Sequence, residues 1–278
     1  MAIIMDGIKL RNKILNELRL HIEKNGLQPK LVAILVGDDA ASKIYVHNKE
    51  KYAAVAGIKT DVIRMPFDTD TKTLVEKIKE LNTDKTVTAI LVQLPLPKHI
   101  DTNTVINAVD VFKDVDGFTN ENFGRMFGSG TDFITPCTPR GIMALLDEYK
   151  IDVSGKKAVV IGRSNIVGKP MAQMLMSRNA TVTICHSQTP NIAEYTKNAD
   201  IVIAATGKIK ITGDMLKSGT VLIDVGMQRD EYGNLCGDCD FESCAFVAGY
   251  ITPTPGGTGP MTIACLMMNT VDLMNIYK

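Results

Sequence analysis

The chain is expected to be an α/β protein of two domains, and three observations predict it. Strand-sized apolar runs alternate with segments of helical periodicity from end to end. The alternation is broken once, by an irregular stretch closing on Pro136-Cys-Thr-Pro139. It then resumes with a glycine-bounded loop set between a strand and a helix. A chain of 278 residues is long enough for two ordinary domains.

In the first series, Gly7 to about Lys24 carries apolar residues at helical spacing (Ile8, Ile14, Leu15, Leu18), and Gly26 ends the run. Leu31–Val36 is a buried strand, Ala40–Ala56 a helix stopped by Gly57, and Thr60–Met65 a strand. Thr71–Leu81 is a helix with Leu74, Ile78 and Leu81 on one face, and Thr88–Gln93 is a strand. Such β-α-β alternation implies a mostly parallel sheet covered by helices. Residues Asp110–Thr138 are expected to be irregular, followed by a helix from about Arg140 to Tyr149.

In the second series, strands are expected at Lys157–Ile161, Ala180–Cys185, Ile201–Ala205, Val221–Val225 and Ala245–Ala248. Prolines and glycines between Thr252 and Gly259 break the pattern, and a last helix runs from about Met261 to Tyr277. The expected division is residues 1–138 as a first domain, 139–259 as a second, and 260–278 as a helix returning to the first.

Composition excludes several classes of partner. Lys+Arg and Asp+Glu balance at 31 each, so no basic field calls for nucleic acid or an anionic membrane. Asp6, Lys9 and Arg11 interrupt any signal-peptide run, and no stretch approaches a membrane span. Six cysteines without a secretory signal suit a reducing, cytoplasmic setting. Cys236, Cys239 and Cys244 include one C-x-x-C, but a closed zinc site wants four ligands and no His or second C-x-x-C follows, so no metal is expected.

The loop Gly162-Arg-Ser-Asn-Ile-Val-Gly168 lies between the strand 157–161 and a helix over Lys169–Ser177. That order is what a pyrophosphate requires: glycines permit close backbone approach, and a helix N-terminus offers N–H groups and positive potential. With four later strands it predicts a Rossmann-like dinucleotide-binding domain. NAD-binding folds usually place an acid at the end of the second strand. Here the chain reads Cys185-His-Ser-Gln-Thr189, and Arg163, Ser187 and His186 would welcome a 2′-phosphate. NADP is therefore the expected cofactor. Thr206-Gly207 and Val225-Gly226 follow the third and fourth strands, at the carboxyl ends where ligands of such sheets lie.

Tyr45 and Lys49 are four apart on the second helix and share a face. A Tyr-x-x-x-Lys pair also occurs in short-chain dehydrogenases, but there it follows the glycine loop, whereas here it precedes it by more than a hundred residues. Val92-Gln-Leu-Pro-Leu-Pro97 ends a buried strand in a strip stiffened by prolines. Lys113-Asp-Val-Asp-Gly117 puts two acids in a loop.

Taken together, Ser42-x-x-Tyr45-x-x-x-Lys49, Val92-Gln-Leu-Pro-Leu-Pro97, Lys113-Asp-Val-Asp-Gly117, Pro136-Cys-Thr-Pro139, Gly162-Arg-Ser-x-x-Val-Gly168 and Pro255-Gly-Gly-x-Gly-Pro-Met-Thr262 make the chain resemble one family over essentially its whole length. It is the bifunctional methylenetetrahydrofolate dehydrogenase / methenyltetrahydrofolate cyclohydrolase family. The resemblance implies oxidation of 5,10-methylenetetrahydrofolate with NADP, then hydrolysis of the methenyl product to 10-formyltetrahydrofolate. It implies a folate-binding catalytic first domain, an NADP-binding second domain, and a homodimer. By that likeness Lys49 is the catalytic lysine, Gln93 orients it, Tyr45 lines the folate ring and Asp116 binds the pterin's N–H edge. Val92, Leu94, Pro255, Gly256 and Gly257 complete the substrate site. Gly162, Arg163, Ser164, Val167, Gly168, His186, Ser187, Thr206, Gly207, Val225, Gly226 and Met227 are expected to hold the cofactor. A monofunctional dehydrogenase is the alternative, which retention of Lys49 opposes. The chain departs from the usual pattern at Cys239, Gln228, Thr254 and Thr258, none of them an expected catalytic group.

Overall fold

The computed structural model describes residues 1–128, 132–207 and 209–276. The chain divides into two compact units, one of Met1–Arg11 with Thr138–Thr262 and one of Asn12–Cys137 with Ile263–Lys278. They are called here the central and the N-terminal unit. Each capped helix starts where a short polar side chain can satisfy its first amides.

The strand β1 (Ile3–Ile4) is followed by α1 (Gly7–Asn25), opened by Asp6, whose Oδ1 accepts from Lys9 N at 2.9 Å. Next come β2 (Lys30–Val36) and α2 (Ala40–Ala56). Asp39 caps α2 through Ser42 N at 2.7 Å, and Gly57 closes it at φ 80. Then follow β3 (Lys59–Met65), α3 (Thr71–Thr83), β4 (Ala89–Val92), α4 (Thr102–Ala108), α5 (Asn120–Phe127) and α6 (Cys137–Glu148).

In the N-terminal unit β2 is central, with β3 and β4 parallel on its two sides. Its apolar run is continuous because both faces are covered. Leu31 and Ala33 face a core with Leu15 of α1 and Ala53 of α2, and Val32, Ile34 and Val36 face one with Leu74 and Ile78 of α3. Cys265, Leu266, Met267 and Val271 of the last helix, α10 (Thr258–Ile276), join the first of these cores. The expected return of that helix is therefore observed; the end of its expected span, Tyr277, lies outside the described residues.

The central unit holds β5 (Lys157–Ile161), α7 (Gly168–Ser177), β6 (Thr181–Cys185), α8 (Ile192–Thr196), β7 (Ile201–Ala204), β8 (Val221–Asp224), a small hairpin of β9 (Gln228–Arg229) and β10 (Leu235–Cys236), α9 (Phe241–Val247) and β11 (Tyr250–Ile251). Its six-stranded sheet runs β1-β11-β8-β7-β5-β6, parallel throughout. The chain leaves β5 for β6 on one side and returns to β7 on the other. That reversal is the switch point where ligands of such sheets bind.

Three expectations are corrected. The strand expected at Ala245–Ala248 lies within and just after α9, because Asp240 caps a helix there and accepts from Ser243 N at 3.1 Å. Cys244 and Ala248 then face the core together while Phe246 is exposed. The true edge-ward strand is Tyr250–Ile251. The stretch expected to be irregular contains α5, capped by Thr119 through Asn122 N at 3.2 Å. Finally Met1–Arg11, read from sequence as part of the first domain, lies in the central unit, where β1 pairs with β11. Two strand residues are too few for periodicity to reveal.

Candidate active site

Lys49 and Tyr45 lie half-buried on α2, and Gln93 follows β4 as a buried residue. The backbone of Gln93 stays in register with the sheet, its N–H donating to Ile34 O at 2.9 Å. Its side chain therefore emerges at the carboxyl end of the strand. Nε2 of Gln93 donates to Leu94 O at 2.6 Å, which turns Oε1 toward Lys49, and Lys49 Nζ donates to it at 2.9 Å. Burial raises the Tyr45 phenol above its ordinary value. Val92 is buried at the end of β4, and Leu94, half-buried, begins a cis Leu94–Pro95 bond.

The loop 113–117 separates its charges by role. Lys113 Nζ donates to Leu81 O at 2.8 Å and Asp84 O at 2.7 Å, which ends α3. Asp114 is buried and accepts from Phe118 N (3.2 Å), Thr119 N (2.8 Å) and Asn122 Nδ2 (2.8 Å). Asn122 Oδ1 accepts in turn from Ile134 N at 3.1 Å. Gly117 has φ 67, and a Cβ there would stand 2.4 Å from Ile134 O, so only glycine passes. These contacts leave Asp116 as the acid available to a ligand. Asp116, with Asp114, Val92 and Phe118, borders a small recess. Although part of its surface remains open, desolvation pushes its carboxyl up to about 6; Lys49 opposes this and Asp114 reinforces it.

In the central unit, Gly162 ends β5 at φ 137, and a Cβ would lie 2.4 Å from Ala205 O. A Cβ on Gly168 would lie 2.2 Å from Gly162 O. The loop therefore closes only on glycines, which is the backbone a pyrophosphate needs beside a helix N-terminus. Ser164 Oγ accepts from Val167 N at 3.2 Å and Gly168 N at 3.4 Å, bracing the turn. Arg163, Ser164 and Ser187 are exposed. His186, half-buried, accepts at Nδ1 from Gln188 N at 3.2 Å. No carboxylate stands in Cys185–Thr189. The residues present fit a dinucleotide with a 2′-phosphate.

The loops after β7 and β8 are organised by two buried acids that sequence reading missed. Asp238 Oδ2 accepts from Thr206 N (2.7 Å) and Gly207 N (3.0 Å), and its Oδ1 from Gln228 Nε2 (2.7 Å). Asp224 accepts from Gly226 N, Asp238 N and Cys239 N, each at 2.9 Å, and burial raises its carboxyl. The Thr206 and Gly207 amides are thus directed to Asp238. Val225 N continues the sheet to Ala204 O at 2.8 Å, and Met227 is half exposed. Pro255, Gly256 and Gly257 also belong to the central unit, where Gly256 (φ 114) accepts from Gly7 N at 3.0 Å. Lys49, Gln93, Tyr45, Val92, Leu94 and Asp116 share the N-terminal unit. Nothing in one residue type marks Asp224 or Asp238 as organisers; their neighbouring glycines, Gly226 and Gly237, are the only signal, since a Cβ on either would strike a carboxylate.

Among the described residues no group of three or more His, Cys, Asp or Glu is placed to hold a metal ion, and no helix is long and apolar enough to cross a membrane.

Residues 5–116 match the family model of the tetrahydrofolate dehydrogenase/cyclohydrolase catalytic domain, and residues 136–278 match that of its NAD(P)-binding domain. This chain belongs to the tetrahydrofolate dehydrogenase/cyclohydrolase family. The bifunctional protein FolD of Streptococcus pneumoniae serotype 4 is 51% identical over 275 residues, covering 97% of this chain and 96% of that protein. Among solved structures, the bifunctional FolD of Campylobacter jejuni superposes with a TM-score of 0.96 at 43% identity, covering 98% of each chain. The FolD of Trypanosoma brucei, solved with NADP cofactor and inhibitor, gives 0.91 at 34% identity, covering 98% of this chain and 97% of that one. Within the family's catalytic-domain match fall Tyr45, Lys49, Gln93 and Asp116, and within its NAD(P)-binding match fall the 162–168 loop and Arg163.

Proposed function

We propose that this chain oxidises 5,10-methylenetetrahydrofolate to the methenyl form with NADP and then hydrolyses it to 10-formyltetrahydrofolate. The observation that carries the reading is the Lys49 Nζ–Gln93 Oε1 contact of 2.9 Å, in the same unit as an Asp116 carboxyl that senses the lysine's charge.

NADP, when bound, supplies the hydride acceptor. The glycine loop 162–168 would cradle its pyrophosphate, while Arg163, Ser187 and His186 would take the 2′-phosphate. Asp116 accepts two N–H bonds from the pterin edge, a pairing suited to a carboxylate. Tyr45 packs along the folate ring. Hydride transfer asks chiefly that the two bound ligands be aligned. Hydrolysis asks for proton management, and Lys49 does this, taking a proton from the attacking water and giving it to the ring nitrogen as the C–N bond breaks, while the remaining hydroxyl proton leaves to solvent as the formyl C=O forms. Gln93 keeps the amine pointed at that water. A bound methenyl cation disfavours a second positive charge beside it, which helps the lysine act as a base.

The reading includes a homodimer in the cytoplasm. Free cysteines throughout suit a reducing compartment. The edge strand β6 leaves Thr181 and Ile184 exposed, a surface on which a second copy can pair.

The test is a spectrophotometric assay at neutral pH with 5,10-methylenetetrahydrofolate and NADP, then NAD. NADPH formation without methenyl accumulation is the expected result. Accumulating methenyl product would remove the cyclohydrolase from the reading, and no turnover with either cofactor would overturn it.

A further inference from the structure

Asn269 lies in α10 with no exposed surface, in the N-terminal unit. Its neighbours on the helix, Cys265, Leu266, Val271 and Leu273, join an apolar core, so a leucine-like side chain is the residue that packing alone would select. The amide instead reaches two segments of the chain. Nδ2 donates to Val115 O at 2.7 Å and to Thr135 O at 3.0 Å, and lies 3.4 Å from Cys137 Sγ. Val115 immediately precedes Asp116. Cys137 Sγ in turn lies 3.6 Å from Asp116 Oδ1 and 3.7 Å from Val115 O. One side chain therefore ties the peptide before Asp116 to the segment that packs against its carboxyl.

We propose that Asn269 is a positioning residue for Asp116: it holds the backbone on which the folate-binding carboxylate stands, without touching substrate. The inference rests on the reading that Asp116 binds the pterin. Losing the amide leaves the buried Val115 O with only the weak Cys137 Sγ donor and removes the donor that Asn269 gives to Thr135 O, so the peptide carrying Asp116 shifts to find better partners. A shift of this kind at a bidentate acceptor costs affinity for its ligand. The charged and titratable groups facing Asp116 are Lys49 from α2, Asp114 from its own loop and Cys137 from α6. Displacing the carboxylate from Lys49 also changes the pH at which folate binding fails.

The experiment uses the full chain and measures binding of 5-formyltetrahydrofolate and of NADP, with thermal melting, for Asn269→Leu, Asn269→Ala, Asp116→Ala and the double variant Asn269→Leu/Asp116→Ala. Asn269→Leu is expected to weaken the folate ligand by about tenfold or more and leave NADP affinity unchanged. It should also shift the pH midpoint of folate binding. In the Asp116→Ala background it should add less than about twofold, since the two act through one contact. Asn269→Ala, which leaves room for a bridging water, should be intermediate, and it carries the comparison if the leucine variant does not fold. Parallel loss of both ligands would mark a merely structural residue and overturn the proposal. So would unchanged folate binding in Asn269→Leu while Asp116→Ala is impaired. Normal folate binding in Asp116→Ala would instead overturn the assignment of Asp116, and this inference with it.

Discussion

Lys49 Nζ donates to Gln93 Oε1 across 2.9 Å, and the other side of the Gln93 amide is occupied by Leu94 O at 2.6 Å. A helix and a strand end thus fix one amine by a chain of two hydrogen bonds. The amide cannot flip without losing both, because its nitrogen would then face the donating Lys49 amine and its oxygen a carbonyl.

The two reactions should separate at Lys49. Lys49→Met keeps the stem and removes the amine. Cyclohydrolase activity is expected to fall by about 10²–10⁴-fold, the usual worth of a general base, while dehydrogenase activity falls far less. Assaying both steps on one preparation decides it. Equal loss with folate binding intact refutes the division of labour.

Gln93→Glu probes orientation against charge. The new carboxylate can still accept from Lys49, but it holds the lysine as the ammonium. Cyclohydrolase activity at neutral pH should drop and its pH profile move to the alkaline side. An unshifted profile would show that Gln93 does not govern the proton on Lys49.

Asp116 predicts an acid limit to folate binding. Its carboxyl is raised to about 6, and only the ionised form accepts both pterin N–H bonds. Affinity should be level above that pH and fall by up to about tenfold per unit below it. Stability has the opposite sign. A carboxyl whose folded value lies above its unfolded one favours the fold at low pH, and that contribution is lost as pH rises through about 6. Asp116→Asn should therefore melt higher than the native chain at pH 8 and lose that advantage near pH 4, while binding folate weakly at both. Melting curves and titrations across that range test both signs.

Arg163 should decide between cofactors. Losing charge-assisted bonds to a 2′-phosphate costs about 1.5–3 kcal/mol, so Arg163→Ala should raise the KM for NADP by about ten- to a hundredfold. The KM for NAD should stay where it is. Parallel increases for both cofactors would place Arg163 on the pyrophosphate instead.

Gly168→Ala forces a methyl into a space 2.2 Å from Gly162 O, where backbone and not a pliable side chain must yield. A cost of about 1–3 kcal/mol falls on the cofactor loop. NADP affinity should collapse while binding of a folate ligand at Asp116, which lies in the other unit, persists. Retained NADP affinity would show that the loop does not cradle the pyrophosphate.

Much of this molecule is written in patterns that a linear reading recovers. The run Leu31–Val36 is continuously apolar because both of its faces are covered, and alternate residues enter different cores. Gly162 and Gly168 bracket a loop that no larger residue permits. Gly57 marks the end of the helix carrying Lys49. Where the reading failed, two local signals conflicted. Residues Ala245–Ala248 look like a strand by composition, and the capping of α9 by Asp240 outweighs it.

By itself the sequence determined the α/β class, the glycine loop, the absence of an acid after β6 and the helical pairing of Tyr45 with Lys49, since each depends on neighbours within a turn or a strand. Only tertiary structure decided which acids are available. Asp114 and Asp116 are two residues apart and alike in composition, yet one is consumed by Thr119 N and Asn122 Nδ2 and the other is left open. Asp238 and Asn269 likewise gain their roles from partners 32 and 154 residues away. A polar side chain's function is set by which donors and acceptors reach it in the fold, and those contacts join segments that no local pattern connects.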